Sequence, residues 1–306
     1  MMLHTLSFLP LGLSLMLQLS SCQNSEQSAQ GLAAEAKGQA SELLADAQQD
    51  GILSSRALWS EQMPRVLDEI SGIAFDPDGD FDMLYAIEDE TGVLYSYSLT
   101  EKKVVSEFKF AGRGDYEDVA TDGKYFYVLR SDGVIYSFDF DLQNSSEKEP
   151  RVTKGLLPKG EYESLAINPD NGRLYVMCKE CKVDKKGGQH TGYEFSTNKG
   201  KVDKFLRIIS IDLAGLRKID KDIKKIIKPS AITYDREAKR WFMISSIDKA
   251  LMIFDEDFKI KKIEKFARSA FEQPEGLAIN YKSGELLISS ERGDSSYGML
   301  KSFTLK

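Results

Sequence analysis

Asp115-Tyr116-Glu117-Asp118-Val119-Ala120 is one copy of a short pattern that returns four more times along the chain. The other copies are Ser71-Gly72-Ile73-Ala74, Glu163-Ser164-Leu165-Ala166, Ser230-Ala231-Ile232-Thr233 and Glu275-Gly276-Leu277-Ala278. Counted from Ser71, Glu117, Glu163, Ser230 and Glu275, the spacings are 46, 46, 67 and 45 residues. A period near 45 residues filled with short strands matches one four-stranded propeller blade. The single long interval is one such unit with about 21 additional residues, which the sequence places as an insertion at about 178–203 in the third blade.

Outward from each copy, the same signals follow in the same order. A turn comes first, as in Asp76-Pro77-Asp78-Gly79, Asp122-Gly123 and Asn168-Pro169-Asp170-Asn171-Gly172. These residues supply fixed or positive φ at low cost. Aromatic and β-branched runs such as Tyr125-Phe126-Tyr127-Val128-Leu129 and Trp241-Phe242-Met243-Ile244 are then expected as second strands. The small residue closing each motif (Ala74, Ala120, Ala166, Thr233, Ala278) suits an innermost strand crowded against a ring axis. The fifth unit ends after a third strand at Met299–Thr304, one strand short. The segment Leu58-Trp59-Ser60-Glu61 is expected to supply it, closing the last blade and removing the exposed edges of an open array. The fold class is therefore all-β, a five-bladed β-propeller over residues 56–306.

Composition agrees with a globular domain, at 42% hydrophobic and 29% charged residues. A formal charge of −7 argues against nucleic acid as a partner, because phosphate binding needs a dominant basic surface. The Lys-rich stretch Lys218–Lys228 is expected as a solvated strand or a lysine-protected edge. Residues 1–21 read as a signal peptide ending in Leu19-Ser20-Ser21-Cys22, which resembles a bacterial lipobox with Cys22 as the lipidated residue. The expected location is the cell envelope, with the domain outside the cytoplasm and a membrane held through Cys22. Residues 22–55, rich in Gln, Ser, Ala and Glu without an aromatic, read as a flexible tether.

In a propeller the first residue of each motif faces one mouth of the central channel. Glu117, Glu163 and Glu275 thus converge there, and Asp89 and Glu291 stand at matching ends of second strands. Like charges so close need a compensating group. One solution is a divalent cation, and Ca²⁺ suits a carboxylate-rich, histidine-poor set. The other is hydrogen bonding to backbone N–H groups or to arginines.

The copies Asp115–Ala120, Pro274–Ala278 and Glu69–Ala74, with Leu84-Tyr85-Ala86-Ile87-Glu88-Asp89-Glu90, resemble the SdiA-regulated family of bacterial propeller proteins. The resemblance spans roughly residues 66–306 and implies a five-bladed propeller with calcium near the axis, in a family without an established biochemical role.

The insertion carries Cys178-Lys179-Glu180-Cys181 and His190. In an exported chain a Cys178–Cys181 disulfide stapling the loop is expected. The alternative is a redox or zinc-binding pair, and a complete zinc tetrad would need Cys178, Cys181, His190 and a carboxylate. The chain has two histidines, one of them in the leader, so neither a histidine-pair lactonase nor a Ser-His-Asp triad fits. No residue is assigned a catalytic role. The expected function is a calcium-binding module for an envelope ligand or protein, with a calcium-dependent hydrolase of phosphoesters, esters or lactones as the alternative.

Overall fold

Strands in the middle of a blade are covered on both faces by the neighbouring blades. They therefore carry continuous apolar runs in place of alternation, as in Trp241-Phe242-Met243-Ile244, where all four side chains are buried. The computed structural model describes residues 51–53, 56–142, 149–267 and 269–305. Cys22, the leader and residues 22–50 of the tether lie outside the described residues.

Five antiparallel four-stranded sheets make up residues 56–305. The first is β2 (Ile70–Ala74), β3 (Met83–Glu88), β4 (Val93–Ser98) and β5 (Lys103–Lys109). The second is β6 (Tyr116–Thr121), β7 (Tyr125–Arg130), β8 (Ile135–Asp139) and β9 (Arg151–Thr153). The third is β10 (Gly160–Asn168), β11 (Arg173–Cys181), β12 (Gln189–Asn198) and β13 (Lys201–Asp212), and the fourth is β14 (Pro229–Asp235), β15 (Arg240–Ser245), β16 (Ala250–Asp255) and β17 (Ile260–Lys265). The fifth joins β18 (Gln273–Asn280), β19 (Glu285–Glu291) and β20 (Met299–Thr304) to β1 (Trp59–Gln62) as the outermost strand. Each innermost strand packs on the next, and β18 packs on β2, so the ring is closed.

Closure uses the strand expected near Trp59, shifted by one residue. Trp59 pairs with Ser302 and Gln62 with Met299. Trp59 Nε1 donates to Glu285 Oε2 at 3.0 Å, and the indole packs against the core between the fifth and first blades. Aromatic rings fill the other seams. Trp241 stacks on Phe258 at 5.0 Å and meets Tyr175 of the third blade at 4.4 Å, while Phe126 contacts Tyr85 of the first blade at 4.8 Å. Such contacts add to the area-proportional burial that holds blades together.

Inner strands approach one another closely enough to dictate glycine. A Cβ on Gly72 would stand 2.7 Å from Asp118 Cα and 2.8 Å from Val119 N, closer than any side chain sits. The five small motif-closing residues, Ala74, Ala120, Ala166, Thr233 and Ala278, all line one cavity at the end of the channel away from the acidic residues.

Two expectations about the third blade change. The additional residues do not form one inserted loop over 178–203, because that range includes the regular third strand β12. They lengthen β11, β12 and β13, add a 3-10 turn at Lys182–Lys186, and form the helix α1 (Leu213–Ile219) before β14. Spacing measures how many residues are extra, and it is silent on where they are spent. The Lys218–Lys228 stretch is likewise no strand; it is the end of α1 and the loop after it. Asp212 caps that helix, its carboxylate accepting from Ala214 N at 2.9 Å. Among the described residues no helix is long and apolar enough to cross a membrane.

Candidate functional site at the acidic channel mouth

One irregularity is repeated in all five blades. The pairing of inner with second strand slips between Ile70 and Gly72, Tyr116 and Asp118, Tyr162 and Ser164, Pro229 and Ala231, and Pro274 and Gly276. The residues skipped are Ser71, Glu117, Glu163, Ser230 and Glu275, the first positions of the five motif copies. A β-bulge frees one residue from the ladder and re-aims its side chain. Five bulges at one level therefore build a ring of freed side chains around the channel.

Second strands add a further tier. Registers such as Tyr116 opposite Arg130, Tyr162 opposite Cys178 and Pro274 opposite Ser290 make Asp89, Ser131, Lys179, Ser246 and Glu291 equivalent positions. Lys179, from the third blade, thus points where the first and fifth blades present acids. Its amine pairs with Glu163, which is only 7% exposed. It also draws on the charge of Glu117, Glu275 and Glu291.

Electrostatics show how tightly the acids are gathered. Burial, followed by Asp115, Glu291 and Asp89 acting against Lys179, pushes the Glu117 carboxyl up to about 8. Burial and the charges of Glu291 and Glu117 hold Glu275 well above the usual range. Burial with Glu69 and Asp89 raises Glu291 to about 7, and burial with Glu88, Glu90 and Glu69 raises Asp89 to about 6. These couplings cross between the first, second and fifth blades, so the carboxyls share one space.

Arginines serve only the rim. Arg292 Nη2 binds Glu69 at 2.8 Å and Arg113 binds Glu90, whereas among the described residues no cation pairs with Glu117, Glu275, Asp89 or Glu291. Gln273 donates to Glu291, and Asp89 Oδ1 and Ser71 Oγ are buried with no hydrogen-bond partner. No three of the mouth carboxyls come within 4.8 Å of one another; among the described residues only Cys178, Cys181 and Asp184 bring three such ligand atoms that close.

Beyond the expected set, Asp118 is 3% exposed and its carboxylate accepts from Val119 N and, across the seam, Leu165 N, both at 2.8 Å. It ties the second blade to the third beneath Glu117. Cys178 and Cys181, both buried, are joined as a disulfide in the structure with their Cα atoms 6.1 Å apart. The bond brackets Lys179 and fixes the strand end that carries it.

Comparison with known proteins reaches the architecture. No family model matches the chain, and no curated protein matches it. Among solved structures, the glutaminyl cyclase of Myxococcus xanthus superposes with a TM-score of 0.54 at 13% identity, over 81% of this chain and 94% of that one. The fold is shared. A chain of a nidogen/laminin complex aligns more loosely, with a TM-score of 0.44 at 13% identity, over 72% of this chain and 76% of that one. Identities this low speak to the propeller alone.

Proposed function

We propose that this protein is a calcium-binding β-propeller, lipid-anchored at the cell envelope, whose acidic channel mouth serves as a binding module for a ligand or protein. One observation carries the reading. Bulges turn Glu117, Glu163 and Glu275 to one mouth, where Asp89 and Glu291 join them around the amine of Lys179. The anchor rests on Leu19-Ser20-Ser21-Cys22, and the family assignment on the motif copies that resemble SdiA-regulated proteins.

The donor set fits a hard divalent cation. All five groups are carboxyls, Asp89 Oδ1 among them is buried without a partner, and the unpartnered Ser71 Oγ adds one more oxygen at the same level. Glu117, Glu163 and Glu275 would hold the ion, with Asp89 and Glu291 completing the shell. Since these groups stand apart around the ring, binding draws them inward and releases Lys179 from Glu163.

The test is a melting curve of the full chain with millimolar CaCl₂ and with chelator, alongside equilibrium dialysis for bound calcium. A ligand at about a hundredfold over its Kd stabilises the folded state by about 2.7 kcal/mol, so the melting temperature should rise by several degrees. Glu275→Gln should lose most of that rise. An unchanged melting temperature together with no bound calcium overturns the reading.

A second reading has its own support. A carboxyl raised to about 8, as at Glu117, keeps its proton at neutral pH and has the property of a general acid. Chelator-sensitive turnover of a phosphoester, ester or lactone, lost in Glu117→Gln, would make the protein a calcium-dependent hydrolase.

A further inference from the structure

Behind the mouth, on the far side of the strand end that carries Lys179, the third blade holds a second constellation that the calcium reading does not use. Cys178, Cys181, Asp184 and His190 are 0%, 4%, 5% and 0% exposed. The two sulfurs and an Asp184 oxygen lie within 4.8 Å of one another, and His190 Nδ1 is 3.8 Å from Asp184 Oδ2. Three polar atoms are orphaned in this small space: Asp184 Oδ2 and both ring nitrogens of His190. Neither ring nitrogen completes a hydrogen bond.

Buried polar groups are ordinarily satisfied, and a buried carboxylate without a cation is costly. The second oxygen of Asp184 is already oriented by Thr191 Oγ1, which donates to Oδ1 at 2.6 Å. A carboxylate held by one oxygen and unpartnered at the other lies with two cysteines spaced Cys-x-x-Cys and beside a buried imidazole; His190 stands next to Asp184 outside the 4.8 Å group, so a closed four-ligand site is completed by a turn of its ring toward the sulfurs.

We propose that the dithiol form of the chain binds one Zn²⁺ through Cys178 Sγ, Cys181 Sγ, a carboxylate oxygen of Asp184 and a ring nitrogen of His190. Two sulfurs, one nitrogen and one oxygen make the tetrahedral set that zinc accepts. Loading involves no redox change: the two thiols release two protons to solvent as their thiolates bind the ion. The disulfide is the metal-free alternative, and opening it takes two electrons and two protons, both from a dithiol that is itself oxidised to a disulfide, or the electrons from a phosphine and the protons from the water that also supplies the oxygen of the phosphine oxide. The two forms exclude each other, since a sulfur in the disulfide has no thiolate to offer.

The test uses the full chain carrying Cys22→Ser, so that Cys178 and Cys181 are its only thiols. Purified with a phosphine reductant and no chelator, it should carry about one zinc per chain by elemental analysis. Replacing zinc with Co²⁺ should give intense tetrahedral d–d bands and thiolate-to-metal charge transfer. Asp184→Asn and His190→Gln should each weaken metal binding at least tenfold and shift the d–d bands, with near-ultraviolet circular dichroism reporting that the blade is folded. If either variant misfolds, a competition titration of the parent chain with a chromophoric chelator still decides the matter. Reduced, folded protein with negligible zinc, or a cobalt spectrum without thiolate bands, overturns the proposal. So does a spectrum unchanged by His190→Gln in the folded variant.

Discussion

Among the described residues Glu163 and Lys179 form the one ion pair inside the acidic mouth, and whatever binds there competes with that pair. Removing the amine with Lys179→Met should therefore tighten calcium binding, by roughly tenfold for a change of about 1.4 kcal/mol, as measured by calorimetric titration. A Kd unchanged or weakened by the substitution would show that the lysine is no competitor. The raised carboxyls also set a pH dependence. Glu117 and Glu291 bind protons more strongly folded than unfolded, up to about 8 and about 7, so their contribution to stability is present at low pH and is lost as pH rises through those values. Buried His190, lowered to about 4, acts in the opposite sense and only below its unfolded value of about 6.5. From about pH 6.5 to about pH 8.5 the calcium-free domain should thus lose several degrees of melting temperature, and saturating calcium should flatten that slope. The acids of this mouth were legible in the sequence, because Glu117, Glu163 and Glu275 share a repeat position. Lys179 was not read as their partner, although its match to Asp89 and Glu291 is visible once the second strands are aligned. The cysteines on either side drew attention to the bond between them and away from the residue it presents.

Bulges and edge strands are elements that a repeat pattern marks without revealing. The motif copies fixed where five inner strands begin, yet nothing in their residue types announces that the ladder slips there in each blade. A slip depends on how the second strand meets the first, which is a property of the pair. The closing strand was legible for the opposite reason: it is a missing member of a counted series. β1 pairs with β20 over four residues and contributes Trp59 to the seam with the first blade. Trp59→Ala should cost ~2 kcal/mol, since the half-buried indole loses its seam packing and its bond to Glu285. Deleting residues 56–62 exposes the edge of β20 as well and should lower the melting temperature by more than about 10 °C in differential scanning calorimetry. Melting curves that coincide with the parent's would contradict the role of β1 as the clasp of the ring. The third blade shows the limit of counting. Its surplus length was legible, whereas its distribution among longer strands, a 3-10 turn and α1 depended on capping and pairing that act over a few residues.

At the scale of the whole molecule, the period of the repeats prescribed the ring, and composition set the sign of its surface. What the ring holds was less legible, since the two ends of one channel are made unlike by single residues: carboxyls at the bulges, and Ala74, Ala120, Ala166, Thr233 and Ala278 at the far end. The closure has a mechanical side. The chain enters the propeller through β1, the outermost strand of the fifth blade, paired on one side with β20 alone. Tension arriving from the N-terminal segment is applied first to the four-residue ladder between Trp59–Gln62 and Met299–Ser302, before any other blade is loaded. The bond that Leu58 N donates to Ser302 O, at 2.8 Å, is the first on that path. The clasp that closes the ring at rest is thus also the strand that load reaches first, and single-molecule pulling on the N-terminal segment should release β1 before the other four blades open.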